Sequence, residues 1–136
     1  MRIELLHHVS LVVHDLERSR KFYSEVLGLT EIPRPPFSFA GAWFGIGATQ
    51  HLHLIVSTTG TYRANPKIDG RDIHFAVRVA DFRAAVEHLN RLGFREDAAA
   101  GDPMQLIVNE RAVAGFPQIY ILDPDHHVIE INAAKL

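Results

Sequence analysis

Apolar and polar positions alternate along His8–Val13, with Val9, Leu11 and Val13 on one parity and His8, Ser10 and Val12 on the other. A period of two describes a strand with two unlike faces. Asp15 then stands where a helix N-cap belongs. Leu16, Ser19, Phe22, Tyr23, Val26 and Leu27 follow at helical spacing, and Gly28 sits at the left-handed position after the helix. Leu29–Pro33, Ala42–Ile46 and His51–Ser57 read as three more strands, so residues 1–57 read as one βαβββ module.

The pattern then repeats. His74 to Phe82 lines up with His8 to Leu16 at an offset of 66 residues, and Leu92-Gly93-Phe94 answers Leu27-Gly28-Leu29 at 65. His74–Val79 reads as a strand and Asp81–Leu92 as a helix with Phe82, Ala85, Val86, Leu89 and Leu92 on its apolar face. Phe94–Ala98, Gln118–Leu122 and His127–Asn132 read as strands, and Ala99–Pro117 as an irregular insertion with strand character near Leu106 to Val108. The second βαβββ module is thus 73–136, and residues 58–72, which hold Gly60, Pro66 and Gly70, read as the linker. Pro124 presets a type I turn in Asp123-Pro124-Asp125-His126, which asks His126 to take the left-handed conformation that glycine usually fills. A repeated unit of this size buries its apolar face poorly alone, so the two copies are expected to pair.

Parity also sorts the polar residues. If the helices cover the more apolar face of each sheet, then Val9, Leu11, Val13, Leu52, Leu54, Val56, Phe75, Val77, Val79, Ile129 and Ile131 point inward. His8, His53, His74 and Glu130 are left together on the opposite faces, at first-strand and last-strand positions of each copy. Taken singly, a strand histidine is an ordinary surface residue. The shared parity and the shared repeat position point instead to a metal site, with imidazole and carboxylate as ligands for Zn, Ni, Mn, Fe or Co. His51 shares the parity of His53 and is the alternative ligand there. Arg78 lies on the face of His74, Trp43 and Tyr120 on third strands, and Arg34 in the turn Pro33-Arg34-Pro35-Pro36; these four are the candidate substrate contacts. His7, His14, His88, His126 and His127 read as surface or turn residues.

Composition narrows the chemistry. The 136 residues include no cysteine, so disulfides, thiolate zinc sites and a cysteine nucleophile are excluded. A net charge of −2 offers no field for nucleic acid or an anionic membrane, and no apolar run approaches the roughly 20 residues of a membrane span. The first residues enter a strand pattern at once, with no signal-peptide pattern, so a cytoplasmic location is expected.

The run His8-Val9-Ser10-Leu11-Val12-Val13, with Asp15-Leu16-Glu17-Arg18-Ser19, Phe22-Tyr23 and Val26-Leu27-Gly28-Leu29, resembles the opening of the vicinal oxygen chelate superfamily. Ile119 to Asp125 and Val128 to Ile131 resemble its closing motif. The superfamily includes glyoxalase I, fosfomycin resistance thiol transferases, extradiol dioxygenases, methylmalonyl-CoA epimerase and bleomycin resistance proteins. Arg34-Pro35, Gly41-Ala42-Trp43 and His53-Leu54 further resemble a glyoxalase I-like branch.

The resemblance implies an α+β fold: two paired βαβββ modules forming cupped mixed sheets with the helices outside. It implies one divalent metal per site, held by His8, His74 and Glu130 with His53 at the fourth position. It also implies an enzyme acting on a small carbonyl compound, or its glutathione or other thiol adduct, through a metal-stabilised enediolate, with Glu130 as proton carrier. Relatives of this length usually pair as a homodimer with shared sites. Two departures stand out: His53 replaces a carboxylate and removes a potential base, and His126 replaces the usual glycine of the turn. The same residues leave open an Fe(II) extradiol-type dioxygenase or a Mn-dependent thiol transferase. From another class, a metal-free protein that sequesters its ligand, as bleomycin resistance proteins do, also remains open.

Overall fold

A computed structural model describes residues 1–57, 59 and 63–136; the expected linker therefore lies partly outside the described residues. The chain folds as two units, Met1–Tyr62 and Arg63–Leu136.

The first unit runs β1 (His8–Val13), α1 (Leu16–Glu25), β2 (Thr30–Ile32), β3 (Gly41–Ile46) and β4 (Gln50–Val56). Its sheet has the order β1-β4-β3-β2, with β1 parallel to β4 and the other neighbours antiparallel. Asp15 caps α1 by accepting the Arg18 amide at 3.0 Å, which satisfies one of the donors that a helix start leaves over. Gly28 takes φ +65°, and beyond it the Leu29 amide returns to the Tyr23 carbonyl at 3.0 Å. Val13, Tyr23, Ala42, Phe44, Leu52 and Leu54 are buried, which gives one parity of each strand to the core. The other parity is left for chemistry.

The second unit runs β5 (His74–Arg78), α2 (Phe82–Arg91), β6 (Ile107–Asn109), β7 (Gln118–Leu122) and β8 (Val128–Asn132). Its order β5-β8-β7-β6 repeats the first, again with one parallel pair, β5 and β8. Asp81 caps α2 through the Ala84 amide at 3.0 Å, as Asp15 does in the other copy. Phe82, Leu89, Phe94, Leu106, Ile119, Ile121, Ile129 and Ile131 form the core.

One expected strand is absent. Phe94–Ala98 forms a single bridge between Arg95 and Gln105 and no strand, and the strand beside β7 is Ile107–Asn109. The reason lies in the side chains: Phe94 and Ala98 are buried while Arg95, Glu96 and Asp97 between them are exposed, a spacing that period-two alternation cannot satisfy. Leu92, expected on the apolar face of α2, ends the helix instead and is 40% exposed.

The described part of the linker region, from Arg63 on, packs on the second unit. Ile68 is buried with Leu122 and Val128, and Ile107 and Tyr120 lie against this cluster. A methyl group at Gly70 would lie 3.0 Å from the Tyr120 ring, so a side chain there would require the ring to give way. Arg63 donates to the carbonyls of His126 (2.9 Å) and Lys67 (3.1 Å) and to Asp72 Oδ2 (2.6 Å). His126 takes the left-handed conformation its turn demands, with φ 67°; its amide closes the turn onto the Asp123 carbonyl at 3.0 Å, and its Nδ1 meets the Arg63 carbonyl at 3.1 Å.

Candidate metal and substrate site

In the first unit the strand register brings the polar parity into one row. Ser10 of β1 and Trp43 of β3 flank His53 of β4, and His8 stands opposite His51. The rings use this proximity. Trp43 lies flat on one face of His53, centroids 4.1 Å apart and planes at 6°, and His8 covers the other face at 4.3 Å and 15°. His7 joins from the chain before β1, with its Nδ1 2.9 Å from that of His8 and its ring 5.4 Å from His51.

His53 is 8% exposed, and its Nε2 has no hydrogen-bond partner. Burial, reinforced by His8, His51, His7 and Arg34, lowers its pKa from 6.5 to about 4. The ring is therefore neutral near pH 7, and its buried Nε2 is left without a partner. That is the state in which imidazole ligates a metal.

Arg34 occupies the loop between β2 and β3. Its guanidinium lies over Phe37 and Phe39, at 4.7 and 4.9 Å from their centroids, and its Nη2 donates to the Phe39 carbonyl at 2.8 Å. Phe37 in turn lies 6.0 Å from Trp43. Arg34 thus braces an aromatic surface with its guanidinium face, while its buried Nε has no hydrogen-bond partner.

In the second unit Glu130 is the centre. It is 5% exposed, accepts from the Tyr120 hydroxyl at 2.8 Å and from Asn132 Nδ2 at 2.7 Å, and lies 3.5 Å from His74 Nε2. Burial alone would raise its pKa. Hydrogen bonds from Asn132, Tyr120 and Gln118 and the charge of His74 outweigh that and hold it below the ordinary carboxylate value. Tyr120 is pushed up to about 12 by burial and by Glu130, so it remains a phenol that donates.

His74 Nδ1 meets the Asp72 carbonyl at 2.7 Å. A carbonyl only accepts, so Nδ1 carries a proton, and Nε2 is the nitrogen turned to the carboxylate. Locking the ring by its remote nitrogen is also the arrangement common behind metal-ligating histidines. Arg78 stands one step away, donating from Nε to Asn132 Oδ1 at 2.9 Å and lying over Phe116 at 5.2 Å.

Of the expected ligands, then, His8 and His53 lie together in one unit and His74 and Glu130 in the other. Among the described residues no group of three or more His, Asp or Glu side chains is arranged to hold a metal ion. The donor chemistry nevertheless fits a divalent cation: imidazoles, a carboxylate held in its ionised form, and in His53 a neutral ring whose buried Nε2 has no partner. Of the expected substrate contacts, Trp43 and Tyr120 touch His53 and Glu130 directly, Arg78 acts through Asn132, and Arg34 lies behind the aromatic loop. His7, expected as a surface residue, joins the ring cluster, and the sequence pattern singles out none of Phe37, Phe39 and Asn132. Asn132 could have been found, because it shares the parity of Glu130 two residues on; His7 precedes the strand, where parity says nothing.

The chain matches the Glyoxalase/Bleomycin resistance protein/Dioxygenase superfamily over residues 5–131. It is 29% identical over 133 residues to Glyoxylase I 4 of Arabidopsis thaliana, spanning 96% of this chain and 71% of that protein. A solved structure assigned to the glyoxalase family from Bacillus anthracis superposes with a TM-score of 0.77 at 24% identity, covering 99% of this chain and all of the other. A mutant of the fosfomycin resistance protein FosX from Listeria monocytogenes, in complex with Mn(II) and 1S,2S-dihydroxypropylphosphonic acid, superposes at 0.67 with 20% identity, over 100% and 95% of the two chains. With nearly its whole length matched, and with the duplicated βαβββ units in place, the chain belongs to the glyoxalase/bleomycin resistance protein/dioxygenase superfamily.

Proposed function

We propose that this chain is a metal-dependent enzyme of the glyoxalase type, acting on a small carbonyl compound or its thiol adduct. The observation that carries the reading is His53: a buried, neutral imidazole whose Nε2 has no partner, on the same sheet face as His8. In this reading His8, His53, His74 and Glu130 hold one divalent ion, one of Zn, Ni, Mn, Fe or Co. Two copies of the chain pair so that one protomer supplies His8 and His53 and its partner supplies His74 and Glu130. A bound divalent cation would polarise the substrate's oxygen atoms and stabilise negative charge developing on them.

The chain's own residues supply the rest. Glu130 moves a proton at the carbon beside the carbonyl. In the resting structure its three donors make it a weak base, so it gains basicity when Tyr120 turns its hydroxyl to the substrate instead. The Asn132 bond keeps one carboxylate oxygen in place while the other works. Trp43 and the Phe37–Phe39 pair give the substrate an apolar wall, and Arg78 offers a guanidinium to an anionic group.

Elemental analysis and calorimetric metal titration test the site, with His8→Ala, His53→Ala, His74→Ala and Glu130→Ala each expected to weaken binding. Turnover of methylglyoxal with glutathione, assayed with Ni, Zn, Co and Mn in turn, tests the reaction. Metal binding without turnover of this or any other aldehyde–thiol pair would withdraw the glyoxalase assignment. The exposed Phe37 and Phe39, at 45% and 44%, favour a second reading, a protein that sequesters an aromatic ligand without transforming it. Tight binding of such a ligand by the metal-free protein would select it.

A further inference from the structure

Resting on the metal-site reading above, we propose that Trp43 is the positioning residue for His53 and that His8 is a swinging ligand. His8 must leave its stack on His53 before both rings can hold one ion. An imidazole donates in the plane of its ring, with the metal roughly 2 Å from the nitrogen. The His8 and His53 rings are stacked, 4.3 Å apart at 15°. Planes so disposed do not meet until on the order of 10 Å away, many times a metal–nitrogen bond. No point between the two rings is in line with both lone pairs. One ring has to turn.

The structure identifies which one. His53 lies on the central strand β4, is 8% exposed and is covered by Trp43 at 4.1 Å with planes within 6° of parallel. Trp43 is itself backed by Phe37, and Phe37 by the Arg34 guanidinium. Turning His53 would break this run of contacts. His8 starts the edge strand β1, is exposed, and meets His53 on its face and His7 at its Nδ1. Rotation about its side-chain torsions costs one stacking contact and the His7 contact, both small beside a metal–ligand bond. His53 is therefore the fixed ligand, held by Trp43, and His8 is the ring that turns to meet the ion.

The chain has one tryptophan, so its emission reports on Trp43 alone. Protein freed of metal by chelator is titrated with Zn(II). Trp43 emission, the histidine ring resonances and the binding heat are recorded on the same samples. In a crystal structure of the zinc-loaded protein the His8 ring should have left the face of His53, while Trp43 stays stacked on it. Trp43→Ala should weaken zinc binding by about 10- to 100-fold, the usual effect of removing a residue that orients a ligand. Trp43→Phe, which keeps a ring on His53, should stay close to the parent. Circular dichroism checks that the alanine variant is folded, and the structure of the loaded parent needs no substitution at all. A His8 ring still stacked face to face on His53 at zinc saturation would overturn the proposal, as would a folded Trp43→Ala that binds zinc like the parent. If zinc does not bind the parent, or binds His53→Ala undiminished, the metal site itself is wrong and this inference falls with it.

Discussion

Replacing Tyr120 by phenylalanine removes one hydroxyl and leaves the ring, which makes it the cleanest probe of how Glu130 is held. The bond lost is a 2.8 Å donation to a carboxylate that is 5% exposed. A hydrogen bond to a charged group contributes about 1.5–3 kcal/mol. Asn132 stays at 2.7 Å on the other oxygen and limits the damage, so a loss near the lower end, about 1–2 kcal/mol at pH 7, is expected. For a chain of this size that lowers the melting temperature by on the order of 5 °C.

The pH dependence makes the prediction specific. Glu130 is held below its ordinary value of 4.5, so its bonds contribute stability that is present above 4.5 and is lost as pH falls through the depressed folded value. Tyr120, pushed up to about 12, donates throughout this range. Thermal melts of parent and Tyr120→Phe followed by circular dichroism between pH 7 and pH 3 should therefore converge at the acid end. A gap that stays constant across the range, or that is absent at pH 7, would refute the argument that Tyr120 stabilises the ionised carboxylate.

Gly70→Ala should destabilise the protein by about 1–3 kcal/mol in urea denaturation, because the new methyl would meet the Tyr120 ring at 3.0 Å and its hydroxyl at 3.1 Å; a neutral result would show that the segment yields freely. His53, with its pKa lowered from 6.5 to about 4, takes up a proton on unfolding throughout that window, so its contribution makes stability rise with pH between 4 and 6.5. A ring-nitrogen NMR titration that finds the His53 ring protonated at pH 6 would contradict this. For the shared site, His8→Ala and Glu130→Ala are unfolded together and refolded; mixed dimers should regain up to one intact metal site, whereas sites built within one chain would stay broken in every species.

How much of this was legible in the sequence depends on whether a side chain acts through strand parity. Parity placed His8, His53, His74 and Glu130 on the faces opposite the cores, because a pleated strand with one apolar face has no other way to lie. The same rule failed at Phe94–Ala98, where two buried residues bracket three exposed charged ones and the backbone turns away. It could not foresee that His8 and His53 would stack, since ring orientation is set by Trp43 across the register and by His7 outside it. Arg34 was recognisable as a cation in a proline-rich turn, but its capture by Phe37 and Phe39 depends on the loop's path, which no periodicity encodes.

The anchoring of Arg63 and the seating of Ile68 over Leu122 and Val128 bear on how such halves can be recombined. A chimera that joins the first repeat of one relative to the second repeat of another is most naturally cut at the first recognisable strand, just before His74. Cut there, the second half would arrive without the guanidinium that braces its left-handed His126 and without the glycine that lets the chain pass over Tyr120. The heritable piece begins at residue 63, and a graft made ten residues later would carry every proposed ligand of its half yet lack the cover that keeps Tyr120 against Glu130.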